Sequence, residues 1–165
     1  NKARVYHLHS STLYDAIGTY IESSLERPGQ HVLLLYTDGG DSTSRMTFGK
    51  LLDLLRLGNV VVYAVGYLEH QSGSSRAPQQ MRLSQIAREA GGEAFFPSSP
   101  AEIDRVYAKI LDELASRYTL GYVPSNPKPA GKFRRVEVKL ARTDLKGARI
   151  RTRSGYVPLQ AGVGR

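Results

Sequence analysis

Two short runs constrain the fold of this chain more than anything else in it. Residues 31–37 read HVLLLYT and residues 60–65 read VVVYAV, with no alternation of polar and apolar side chains. A strand with one wet face alternates with period two, so a strand lacking that alternation must be covered on both faces. Parallel sheets flanked by helices provide such cover.

The segments around these runs supply the helices. Leu13, Tyr14, Ile17, Ile21 and Leu25 form one stripe at helical spacing, with Ser10, Ser11 and Thr12 ahead of it as N-cap residues and Pro28-Gly29 behind it as a stop. Phe48, Leu51, Leu52 and Leu55 form a second stripe, closed by Gly58-Asn59. Residues 67–80, YLEHQSGSSRAPQQ, have no periodicity and read as an exposed loop, followed by a short helix through Met81, Leu83, Ile86, Ala87 and Ala90. Gly91-Gly92 ends that helix, and residues 93–96 form a third short strand. From Pro100 onward, Ile103, Val106, Tyr107, Ile110, Leu111 and Leu114 give a continuous core-facing stripe. Helices alternating with strands in this order predict an α/β fold with a parallel sheet covered by helices on both faces.

After Arg117 the pattern changes. Residues 118–123 read as a strand, PSNPKPAGK as a loop, and residues 133–140 and 148–152 as strands flanking a turn at 144–147. The chain therefore divides into an α/β part, 1–117, and a C-terminal antiparallel β extension, 118–165. The formal net charge of +8 is concentrated in that extension, because residues 124–165 hold 11 Lys/Arg and 2 Asp/Glu. Period-two alternation sends Arg135 and Lys139 outward on one strand and Arg149, Arg151 and Arg153 outward on the other. Such a face solvates a small sheet, and its alternative role is to bind nucleic acid or another anionic polymer.

Composition excludes several classes. The chain has 165 residues, 41% hydrophobic and 23% charged, with a mean hydropathy of -0.34, the profile of a soluble globular domain. No stretch approaches the ~18 apolar residues that span a bilayer, and the first residues, NKARVYHLHSS, lack the order of a signal peptide. The absence of cysteine excludes disulfides, thiolate catalysis and Cys-ligated metals. No Gly-x-Ser-x-Gly elbow and no Gly-rich phosphate loop occurs, so the chain is not expected to be an enzyme.

The residues with the clearest chemistry are Asp38 and Asp41 in TDGGDSTS, at the C-terminal end of the first apolar run. Ligands of open α/β sheets bind at that edge. Carboxylates beside Ser and Thr hydroxyls are hard oxygen donors of the kind Mg²⁺ or Ca²⁺ takes, although Asp-Gly is also ordinary turn chemistry. Thr12 adds a hydroxyl that also reads as an N-cap, with Asp15 three residues on in a capping-box spacing. Ser11 and Gly39, beside Thr12 and Asp38, are grouped with them as binding residues. His7 and His9 alternate on a possible strand, and exposed or packed histidine is the favoured reading for both.

The segments SSTLYDAI and HVLLLYTDGGDSTS, then VVVYAVG, IAREAGGEAFFP and ELASRYTLGYVP, taken in this order, resemble a von Willebrand factor type A domain of the bacterial VWFA-related kind. FRRVEVKLAR and ARIRTRSGYVP resemble that subfamily's C-terminal extension. The resemblance implies a Rossmann-like three-layer sandwich, a non-enzymatic adhesion-type interaction module, and an extracytoplasmic setting, whether periplasmic, envelope-associated or secreted. It also implies a metal-ion-dependent adhesion site in which Thr12 and Asp38 match the family's Thr and third-loop Asp, with no fixed role for Asp41. The Asp-x-Ser-x-Ser loop of that site has no counterpart before Thr12. On this resemblance the chain is N-terminally truncated, its site is incomplete, and bound Mg²⁺ needs further donors. The apolar strand 31–37 then has an open edge, to be covered by residues 4–9, by a second copy or by a complementing chain.

Overall fold

The computed structural model describes residues 12–69, 71, 73–125, 131–141 and 150–157. Four helices and five strands occur among them. These are α1 (Leu13–Leu25), β1 (His31–Thr37), α2 (Phe48–Leu57), β2 (Val60–Gly66), α3 (Gly73–Glu89), β3 (Ala94–Phe95), α4 (Pro100–Ala115), β4 (Arg134–Arg135) and β5 (Gly155–Tyr156). The first three strands form a parallel sheet in the order β1-β2-β3, with β1 in unbroken register against β2 from His31↔Val60 to Thr37↔Gly66. The protein is thus a mixed α/β fold, as the two apolar runs require.

Side chains alternate across this sheet into two cores. Leu35, Val60, Val62 and Ala64, with Leu33 beside them, pack under α1, α2 and α3 through Ile17, Ile21, Leu51, Leu55, Leu83 and Ile86. Val61, Tyr63 and Val65 face the other way, against Ile110, Val106 and Leu114 of α4. All seven residues of β2 are buried. β1 is not its equal. It lies at one end of the strand order, and Leu34 and Tyr36 are 42% and 54% exposed. Among the described residues, cover on both faces therefore holds for β2 and fails for β1, because α4 is the one helix there on the second face and packs against Val61, Tyr63 and Val65 of the central strand.

Local chemistry sets the helix ends. Thr47 caps α2 by accepting from the Lys50 N–H, and Ser99 caps α4 by accepting from Glu102. At the end of α3, Gly91 adopts φ +74°, the Gly92 N–H bonds the Ala87 carbonyl at 2.9 Å, and the Gly91 N–H bonds that of Arg88 at 3.1 Å. That pair of bonds is a Schellman close, which needs a left-handed residue.

Three expectations are corrected. Residues 73–80 are helix, not loop, so α3 runs 17 residues with Pro78 inside it. Its first two turns carry no large apolar side chain, and the helical period becomes visible only where Leu83, Ile86 and Ala87 are buried. Residues 118–123 form no strand; Tyr118 and Val123 are almost fully exposed, and alternation without a neighbouring edge makes no ladder. In the extension, β4 pairs antiparallel with β5 rather than with residues 150–152, in the register Arg134↔Tyr156 and Arg135↔Gly155, and residues 148–149 lie outside the described residues. The predicted turn at 144–147 and the candidate edge segment 4–9 lie outside the described residues.

The stripe on α4 is likewise narrower than its periodicity implies, since Ile110 is buried and Leu111 is 65% exposed. Ile86→Ala is expected to cost about 2–5 kcal/mol by emptying a filled core position, and Leu111→Ala less than about 0.5 kcal/mol. Urea titration of both variants checks the difference.

Candidate functional site

The loop that follows β1 sits at the C-terminal edge of the parallel sheet and is built from short turns. The Gly39 N–H bonds the Thr37 hydroxyl at 3.0 Å, and the Gly40 N–H bonds Oδ1 of Asp38 at 3.1 Å. Gly39 has φ +78°, and a Cβ there would sit 3.0 Å from Cβ of Gln79 and 3.2 Å from Cδ1 of Leu83. Conformation and packing on α3 both call for glycine at this position. Asp38 lies on the outside of the turn and is exposed.

The rest of the loop is held by a reciprocal exchange with α1. Oδ1 of Asp41 accepts from the Tyr14 N–H at 3.2 Å and from the Ser44 hydroxyl at 2.5 Å, while the Ser44 oxygen accepts from the Asp15 N–H at 3.2 Å. Tyr14 and Asp15 are the second and third residues of α1, whose N–H groups have no partner inside the helix. In return, the Asp15 carboxylate accepts from the Arg45 N–H at 2.9 Å and the Met46 N–H at 2.8 Å. These two backbone bonds hold the Asp15 carboxyl below its ordinary value of 3.8.

This arrangement revises the roles expected of three residues. The Thr12 side chain makes no capping bond, so the cap of α1 comes from Asp41 and Ser44, about thirty residues away in sequence. Asp15 reaches forward to the 45–46 turn and does not complete a capping box. Asp41 serves the α1 terminus through Oδ1, a structural role that its place in the turn did not announce. Ser44 and the long-range role of Asp15 had no sequence signal, because neither partner lies within a helical turn.

Thr12 and Asp38 therefore share one edge of the sheet with their side chains uncommitted to the helix cap. No cluster of three or more His, Asp or Glu suited to holding a metal occurs among the described residues. Ser11, His7 and His9 lie outside the described residues.

The basic face is also revised. Arg153 turns inward, where its guanidinium bonds the Leu55 carbonyl at 2.9 Å and also the Gly58 carbonyl. It caps the C-terminus of α2, where unpaired carbonyls and the helix dipole favour a cation, and burial lowers its pKa. Arg151 bridges Glu93, at 2.5 Å, and Glu113. Both had been assigned to the outer face by alternation, and both anchor the extension instead. Arg135 is exposed, and Lys139 lies 3.2 Å from Glu137 on the same segment. Arg149 lies outside the described residues.

No protein-family model matches the sequence, and no curated protein matches it. A solved structure described as an uncharacterized membrane spanning protein from Vibrio fischeri is similar to it, at 23% identity over 62% of this chain with a TM-score of 0.43. The match spans 53% of that protein's chain, about half its length. No helix among the described residues is long and apolar enough to cross a membrane.

Two outcomes are expected from this geometry. Because the folded-state pKa of Asp15 lies below its unfolded value of 3.8, its ionised form stabilises the fold fully above 3.8, and that contribution is lost as pH falls through the lower value. Asp15→Asn should lower Tm at neutral pH, and the gap to wild type should close in acid. A gap independent of pH in calorimetry would remove the charge from the explanation. Arg153→Ala should cost about 1–3 kcal/mol, a fall in Tm of about 2–4 °C per kcal/mol for a chain of this size. Arg135→Ala, by contrast, should change stability by less than ~0.5 kcal/mol.

Proposed function

We propose that the chain is a non-enzymatic interaction module of the von Willebrand factor type A kind, an incomplete three-layer α/β sandwich whose loops at the C-terminal sheet edge meet a protein partner. The observation that carries this reading is the exchange between the loop and α1. Asp15, Asp41 and Ser44 hold residues 38–46 in one conformation while Asp38 stays exposed at their outer rim. A rigid loop presenting an exposed carboxylate suits recognition, since little ordering entropy is lost on binding. An extracytoplasmic setting belongs to the same reading and rests on the sequence resemblance.

A divalent cation enters this reading as a bridge. Thr12 and Asp38 supply two of the roughly six oxygens that Mg²⁺ takes, so water and a partner's carboxylate must provide the others. The alternative, binding of an anionic polymer by the extension, is weaker because Arg151 and Arg153 are engaged with the body. Arg135 and Lys139 remain available to it.

A thermal-shift titration tests the proposal. A ligand present at 100 times its Kd adds about 2.7 kcal/mol, or roughly 5–10 °C here. Millimolar Mg²⁺ alone is expected to leave Tm where EDTA leaves it, and Mg²⁺ together with an Asp-containing peptide is expected to raise it. Asp38→Ala should keep the unliganded Tm and lose the response. No response to the combination overturns the proposal.

A further inference from the structure

Two methionines are all the sulfur in this sequence, which has no cysteine. They sit in opposite surroundings. Met81, on α3, is 71% exposed. Met46 is partly buried and packs against the core shared by α1, α2 and α3.

The seat of Met46 is a slot in α1. Gly18 occupies the interior of that helix, where glycine is less stable than alanine, and a glycine so placed calls for a packing reason. Met46 supplies it. A Cβ at Gly18 would meet Cε of Met46 and would lie 3.0 Å from its Sδ, with Cδ1 of Leu54 in α2 at 3.7 Å. The thioether therefore lies against bare helix backbone, with α2 alongside.

The same residue belongs to the clamp on the loop. The Met46 N–H donates to Oδ1 of Asp15 at 2.8 Å, beside the bond from the Arg45 N–H to Oδ2, and the next residue, Thr47, caps α2. Asp15 and Gly18 are three residues apart on α1 and so share a face. Residue 46 is thus held twice by one helix, by its backbone at Asp15 and by its side chain at Gly18.

Such a slot accepts a thioether and rejects a sulfoxide. The helix N–H groups beside it are spent on the carbonyls of α1 itself. An oxygen on the inward lone pair of Sδ would be an acceptor buried without a donor. An oxygen on the outward lone pair would draw the sulfur toward water and empty the slot. Both epimers part residue 46 from Gly18.

We propose that Met46 is a reversible modification site whose oxidation by a peroxide releases residues 38–46 from α1. A lone pair of Sδ attacks a peroxide oxygen, the S–O bond forms as the O–O bond breaks, and the leaving hydroxide takes the proton of the transferred oxygen and departs as water. Sulfur loses two electrons and the peroxide gains them. Sulfoxide reductases reverse the step. The release acts on the loop whatever the loop meets, so it stands apart from the proposed partner.

Hydrogen peroxide added to the full chain tests this, read by peptide mass, Tm and amide hydrogen exchange. Oxygen on exposed Met81 should leave Tm unchanged. Oxygen on Met46 should lower Tm by roughly 3–10 °C and speed exchange at the amides of Tyr14, Asp15, Arg45 and Met46, while those of β2 keep their protection. Methionine sulfoxide reductases should restore both. Met46→Leu, a swap of similar volume, should fold and lose the response, whereas Met81→Leu should keep it. Three results each overturn the proposal: Met46 oxidised with Tm and loop exchange unchanged, a full response in Met46→Leu, or oxidation of Met46 no faster than global unfolding.

Discussion

Everything else in this structure hangs on the pairing of β1 with β2 in seven consecutive parallel registers. Parallel strands cannot be joined by a tight turn, so the chain must leave the sheet as a helix and return. The sequence obeys by placing α2 between β1 and β2, and α3 between β2 and β3. β2 has apolar side chains on both faces, and each face requires a layer. α1, α2 and α3 supply one, and α4 supplies the other. Because one helix faces three strands on the second side among the described residues, their cover runs out over β1. The exposed Leu34 and Tyr36 are the direct consequence.

At the C-terminal edge of the sheet a second constraint operates. A helix that starts beside a loop has N–H groups to satisfy, and the loop has its own. Asp15 and Asp41 exchange acceptors across this boundary, so each element supplies what the other lacks. The exchange leaves Asp38 as the acid that points outward.

The extension reverses the usual reading of a basic segment. Its arginines do not all face solvent, because the body offers them better partners than water does. The end of α2 presents carbonyls to Arg153, and Glu93 and Glu113 present carboxylates to Arg151. Ser154 reaches Glu89, which also holds Arg56, so the strap is joined to the helical layer at several points. Charge in this segment serves attachment as much as solubility.

The α/β class, the four helices, the two long strands and most helix ends were legible in the sequence, because burial periodicity and capping chemistry are local properties of the chain. HVLLLYT and VVVYAV read as strands of a parallel sheet, although only the second is covered on both faces, and Gly91-Gly92 read as a helix end. The helical start of α3 was not legible, since its exposed turns leave no apolar signature and Pro78 argues for a loop. The register of β4 with β5, the inward turn of Arg153 and the exchange between Asp15 and residues 45–46 were decided by tertiary structure alone. Each depends on groups thirty or more residues apart, or on which neighbour reaches an edge first, and no local pattern encodes that. Thr12 and Asp38 were paired through the family resemblance, not from spacing. Which acid stays exposed there was decided only by the fold, which turns Asp41 toward α1.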